Sequence, residues 1–208
     1  MFAGKTLIPV SHGGLEAIYK PGSTDGERVA LVLHPHPVYG GTMHNPVVFH
    51  CAKALEAAGF ETLRINFRGV GESTGQWDEG RGEFDDASAA LDFLLESQTK
   101  ARDILVVGYS FGSAIGLRLG AEDARVTRLI AVATPVGLLD LGFLTDCSKP
   151  KLFVHGSDDE LAALGPLRQL LEESVAPPTD LRVIDGASHF FETGRDELSD
   201  AVRTWAEA

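Results

Sequence analysis

Ser110 stands where a reactive hydroxyl would be useful. It lies in Ile104-Leu105-Val106-Val107-Gly108-Tyr109-Ser110-Phe111-Gly112-Ser113, a G-x-S-x-G pattern with an apolar run before it and a helix-forming segment after it. A serine acts well as a nucleophile when it projects from a tight strand-to-helix turn. Flanking glycines keep side chains out of that turn, and the helix N-terminus offers N–H groups and positive potential to a developing oxyanion. In a chain with 23 glycines the bare pattern says little. Gly71-Glu72-Ser73-Thr74-Gly75 fits it as well. Ser73, however, follows Arg68-Gly69-Val70 and precedes Gln76-Trp77-Asp78-Glu79-Gly80, with no strand just before it and no helix just after. Ser110 is therefore the candidate nucleophile and Ser73 a decoy.

A serine nucleophile needs a base, and the base needs an acid to orient it. On a strand–turn–helix scaffold of this kind the three follow one another as nucleophile, acid, base. Of the seven histidines, His189 follows every plausible acid, in Gly186-Ala187-Ser188-His189-Phe190-Phe191. The acid is expected between Ser110 and His189, after a strand. The run Lys151-Leu152-Phe153-Val154-His155-Gly156-Ser157-Asp158-Asp159-Glu160 offers neighbouring carboxylates, and spacing does not separate Asp158 from Asp159. One of them can cap the following helix while the other orients the base. Asp140 is a weaker rival, and Asp185 is read as lying within the last strand.

An oxyanion needs two donors. One is the N–H of Phe111; the other is expected in His34-Pro35-His36-Pro37-Val38-Tyr39-Gly40-Gly41-Thr42-Met43. Pro35 and Pro37 have no N–H, so among residues 35–37 only His36 can donate. The Tyr39 hydroxyl is the alternative. His34 and His36 lack a third ligand cluster, so they are read as shaping the loop; no metal and no cofactor is expected.

Eight short strands position these residues: Lys5–Val10, Leu15–Lys20, Val29–His34, Glu61–Phe67, Ile104–Tyr109, Arg128–Thr134, Lys151–His155 and Leu181–Asp185. From the third onward most are continuously apolar, the pattern of strands buried on both faces of a parallel sheet. The first two read as an antiparallel hairpin at its edge. Helices are expected over Pro46–Ala58, Glu83–Ser97, Ser110–Ala121, Leu161–Ser174 and Thr193–Ala206, so the fold class is α/β, with helices on both faces of a mostly parallel sheet. No linker or repeat interrupts the 208 residues, which are read as one domain.

The formal net charge of −12 opposes nucleic acid and anionic membrane as partners, both of which need a basic face. No apolar run reaches the length of a membrane span. The N-terminus lacks an apolar signal core, and Cys51 and Cys147 read as reduced thiols, so a cytoplasmic setting is expected. The oligomeric state is left open.

The segments H-P-H-P-x-Y-G-G-T-M, N-F-R-G-V-G-E-S, G-Y-S-F-G, H-G-S-D-D and G-A-S-H-F-F resemble the small bacterial α/β-hydrolases related to dienelactone hydrolase, from Leu31 to Phe191. The resemblance implies the α/β-hydrolase fold, with Ser110, Asp159 and His189 as the triad; Asp159 is chosen by similarity to H-G-x-x-D. It also implies that the Asn66–Ser73 loop is structural. Dienelactone hydrolases carry a cysteine nucleophile where this chain has Ser110, which points to esters in general. The alternatives are a peptidase or acyltransferase on the same triad, or a binding protein on an inactive hydrolase fold. Lids of this fold are inserted between the sixth and seventh core strands, and the 16 residues Pro135–Pro150 are too few for one. An open cleft follows, partly walled by Tyr39, Phe111 and Phe190, suited to a small ester. In that connection Leu138, Leu139, Leu141, Phe143 and Leu144 are read as packing inward.

Overall fold

The computed structural model describes residues 3–137 and 140–208. Leu138 and Leu139 lie outside them. All eight expected strands form, as β1 (Gly4–Val10), β2 (Gly13–Lys20), β3 (Arg28–Leu33), β4 (Glu61–Ile65), β5 (Asp103–Tyr109), β6 (Arg128–Val132), β7 (Lys151–Gly156) and β8 (Thr179–Ile184). They make one sheet in the order β1-β2-β4-β3-β5-β6-β7-β8. β1 and β2 form the antiparallel hairpin at one edge, and β2 joins β4 antiparallel. Every later pairing is parallel. β5 sits inside the sheet, between β3 and β6; β8 closes the other edge and pairs with β7 alone.

The central strands alternate between two cores. Leu31, Leu33 and Val106 face one side, Ala30, Val32, Leu105 and Val107 the other. Both sets are buried, which is why these strands read as unbroken apolar runs. Helices α1 (Pro46–Ala57) and α5 (Arg195–Glu207) cover one face; α2 (Arg81–Ser97), α3 (Phe111–Glu122) and α4 (Leu164–Glu173) cover the other. This is the α/β hydrolase fold. Between β6 and β7 the chain has only residues 133–150, with a 3-10 turn at Gly142–Thr145, so no lid domain covers the sheet. Leu141 and Leu144 pack into the core, and Phe143 is half-buried against it. Among the described residues no helix is long and apolar enough to cross a membrane.

Several sequence-based boundaries shift by one to three residues, and two of the shifts lie beside the site. β8 stops at Ile184, and Asp185 lies in the turn beyond it. α4 starts at Leu164, not Leu161, because Ala163 before it has φ −59° and ψ 135°, an extended backbone that a helix does not pass through.

Candidate active site

Ser110 occupies the turn from β5 into α3 with φ 54° and ψ −121°. A non-glycine residue there carries strain on the order of 1–3 kcal/mol, which the surroundings must overcome. Its N–H donates to Val132 O (2.8 Å), and its carbonyl accepts from Ser113 N (2.8 Å) and Ser113 Oγ (2.6 Å). Two glycines permit the close approach. A Cβ on Gly108 would collide with the Gly112 carbonyl, and one on Gly112 with the carbonyls of Leu33 and His34.

Three loops at the C-terminal ends of parallel strands meet at this hydroxyl. His189 Nε2 lies 2.9 Å from Ser110 Oγ, and His189 Nδ1 lies 2.8 Å from Asp159 Oδ2. Asp159 Oδ1 accepts from Leu161 N (3.0 Å) and Ala162 N (2.7 Å), so both carboxylate oxygens are used. Burial works against its charge, but the bonds from His189 and Ala162 outweigh burial and hold its pKa below the ordinary carboxylate value. Tyr109, the residue before Ser110, donates its hydroxyl to His189 O (2.9 Å) and so ties the loop that carries His189 to the strand that leads into Ser110. His155, buried in β7, lies 2.5 Å through Nε2 from Ala162 O and braces the turn around Asp159.

The geometry separates residues that spacing left level. Asp158 is exposed and accepts from Ser157 Oγ at 2.8 Å, away from His189. Asp140 is exposed and accepts from Gly142 N. Ser73 is buried; its Oγ donates to Asn66 O (2.7 Å) and accepts from Glu16 N (2.9 Å). Asn66 in turn bonds Glu16 Oε2 through Nδ2 and Met43 N through Oδ1, so the decoy belongs to a clamp joining the hairpin to the loop after β3.

In that loop His34 is fully buried. Its Nε2 accepts from Phe67 N (3.0 Å) and its Nδ1 donates to Pro35 O (2.6 Å). The His36 carbonyl accepts from Tyr39 N and Gly41 N. Among the described residues neither the Phe111 amide nor the His36 amide donates to a protein acceptor. The His36 ring packs among Trp77, Tyr39 and Phe111, with centroids 4.5, 4.6 and 5.1 Å away. Together with Pro135 and Leu161 these rings line a cleft of about 470 Å³ that reaches Ser110 and His189. A second cleft of about 240 Å³ meets the first at Ser110 and is lined by Gly40, Asn45, Tyr109 and Phe190. Phe190 thus belongs to the smaller cleft, whereas Tyr39 touches both.

Sequence reasoning missed Trp77 and Leu161. Trp77 reaches the cleft through a turn fixed by Glu83, whose carboxylate, fully buried at the start of α2, accepts from Asp78 N (3.1 Å) and Gly80 N (2.8 Å). The visible signal was a large aromatic residue in an otherwise polar, glycine-rich loop. Leu161 was hidden by its assignment to a helix.

Comparison with known proteins follows the same lines. A family model described as alpha/beta hydrolase fold matches residues 36–146. An uncharacterized protein of Rickettsia prowazekii is 36% identical over 200 residues, covering 93% of this chain and 84% of that one. An alpha-beta serine hydrolase homologue from Coxiella burnetii superposes with a TM-score of 0.92 at 35% identity, covering 98% of this chain and 97% of the other. A serine hydrolase without a lid from Xanthomonas campestris gives a TM-score of 0.88 at 30% identity, over 99% and 96% of the two chains.

Proposed function

Because the chain belongs to the alpha/beta hydrolase fold family, we propose that it is a serine esterase related to the dienelactone hydrolases, which cleaves small soluble esters through an acyl-enzyme on Ser110. The reading is carried by the continuous line of hydrogen bonds from Asp159 through His189 to Ser110 Oγ. His189 Nε2 takes the Ser110 proton as Oγ attacks the ester carbonyl. Asp159 keeps the proton of His189 on Nδ1 and stabilises the imidazolium. The unengaged amides of Phe111 and His36 receive the oxyanion. His189 then returns the proton to the departing alcohol, and water, activated by the same base, releases the acid. No cofactor enters these steps. We place this work in the cytoplasm, where the two buried free thiols stay reduced.

The clefts favour modest substrates. Tyr39 and Leu161 stand at the mouth 85% and 59% exposed, so a long acyl chain leaving the cleft would run into water. Each CH₂ left unburied forgoes about 0.8 kcal/mol. Straight acyl chains of about two to six carbons are therefore preferred, with no jump in rate at the solubility limit.

The test joins labelling to turnover. A fluorophosphonate should label the wild type and not Ser110→Ala, and Ser110→Ala should lose turnover of p-nitrophenyl butyrate by a factor on the order of 10⁶. A wild type that neither labels nor turns over any ester would favour a binding protein on an inactive fold. Turnover of amides over esters would favour a peptidase.

A further inference from the structure

The smaller cleft at Ser110 has lost most of its backbone donors to the loop that builds it, and a side-chain amide stands in their place. We propose that Asn45 is a specificity-determining residue, whose Nδ2 donates to a neutral oxygen acceptor carried by the substrate. Ether, hydroxyl and carbonyl oxygens share that chemistry. The proposal rests on the esterase reading above and adds a substrate class to it: small esters with a further oxygen function, in preference to plain alkyl esters.

The first argument is a count of donors. Pro35, which borders the cleft, has no N–H. The amides of Tyr39, Gly40, Gly41 and Asn45 donate within their own loop, to His36 O, Pro37 O, His36 O and Thr42 O, at 3.0–3.2 Å. The Tyr109 hydroxyl is committed to His189 O. Among the described residues no Asp, Glu, Lys or Arg lines this cleft. The His36 amide is assigned above to the oxyanion. Beyond it and the catalytic groups, the polar side chains left are those of His36, Tyr39 and Asn45. His36 and Tyr39 border the larger cleft as well, and Tyr39 stands mostly in water. Asn45 borders the smaller cleft alone.

The second argument is which end of that amide is free. Asn45 precedes α1, and its Oδ1 accepts from Val47 N at 2.9 Å. Only the oxygen of an amide can accept, so the NH₂ end is the one left over. Among the described residues Nδ2 donates to no protein acceptor, and it is not sealed from solvent. The bond to Val47 N fixes the half-buried side chain before a substrate arrives. A donor held in place spends little of the binding energy on ordering itself. A substrate with an oxygen there satisfies Nδ2; one with methylenes leaves it to water.

The cleft opens at Ser110, so two pairs of isosteric esters probe both sides of the scissile bond. Methyl 4-methoxybutanoate against methyl hexanoate places an ether oxygen on the acyl side. 2-Methoxyethyl butyrate against butyl butyrate places one on the alcohol side. The readout is the ratio of kcat/KM, ether over alkyl, in the wild type and in two variants, Asn45→Ser and Asn45→Asp. Serine and aspartate both keep a cap for Val47 N. Serine is too short to reach where the amide stood, and an ionised aspartate has its shape but no N–H. Intrinsic ester reactivity and any general loss of activity cancel in this comparison. In at least one pair the ratio should fall about three- to tenfold in both variants, the scale of one net hydrogen bond, chiefly through KM. The pair in which it falls shows which side of the ester enters the smaller cleft. Ratios unchanged in both pairs in either folded variant overturn the role of Asn45, and with Ser110-dependent turnover of p-nitrophenyl butyrate intact they leave the esterase reading standing. A wild type without that turnover sinks the esterase reading, and this assignment with it.

Discussion

At the scale of single residues the site is decided by which atoms already have partners. Asp159 uses one oxygen for His189 and the other for two backbone amides, while Asp158 faces solvent one residue away. Replacing Asp159 by Asn would present an amide where the imidazole N–H needs an acceptor, and turnover should fall by roughly 10⁴ through the wrong tautomer. Asp158→Asn should leave turnover nearly unchanged, and steady-state kinetics on the two variants checks the order. Ser73→Ala makes the opposite point. It removes one donor and one acceptor from a buried clamp, so it should lower unfolding stability by about 1–3 kcal/mol while the folded fraction keeps its specific activity. Urea unfolding and active-site titration of the same sample separate the two effects.

At the scale of elements, much of the site lies on parts whose sequence pattern is local. β5 is a run of apolar residues buried on both faces, and the glycines around Ser110 follow it directly, so strand, turn and nucleophile were legible together. His189 was legible because it falls between the last strand and the last helix. The start of α4 was not, because the extended backbone at Ala163 that delays it has no signature in the residue types of the segment. Trp77 was invisible for a similar reason: its position depends on Glu83, six residues on, at the head of another element. The Glu83 carboxylate is fully buried and has two N–H donors there. Glu83→Ala should therefore cost about 1–3 kcal/mol of stability, from two unsatisfied amides, and should raise KM more than it lowers kcat as the Trp77 turn loosens. Thermal unfolding and initial-rate kinetics measure both. A KM unchanged in the folded variant would mean that the turn holds without its anchor.

For the whole molecule, sensitivity to acid follows from a histidine buried at the start of the loop after β3. Burial lowers the pKa of His34 from 6.5 to about 4, and its Nε2 is committed as an acceptor from Phe67 N. Between pH 6.5 and 4 the unfolded chain binds a proton there that the folded chain does not, so stability is complete above pH 6.5 and falls as pH drops toward 4. The loss is on the order of 3 kcal/mol for that shift. His155, also lowered by burial, acts in the same direction; the depressed carboxyl of Asp159 adds its loss only below the ordinary carboxylate range. Urea midpoints measured from pH 7 to 4.5 should decline steadily, and a flat profile would contradict the buried neutral imidazole. A different consequence follows from the order of the strands. Ser110 follows β5 inside the sheet, but His189 follows β8, an edge strand with one neighbour and mostly unburied side chains, and α4 beside it buries only Leu167. Cooperative units of a protein open with different free energies, and thinly packed edges open first. Partial opening of β8 would carry His189 away while Ser110 stays in its strained turn. In rising urea, activity should therefore vanish before far-ultraviolet ellipticity does, and amide exchange should be faster in β8 than in β5. Such a molecule would be switched off well before it was unfolded, and switched on again by nothing more than the return of one strand.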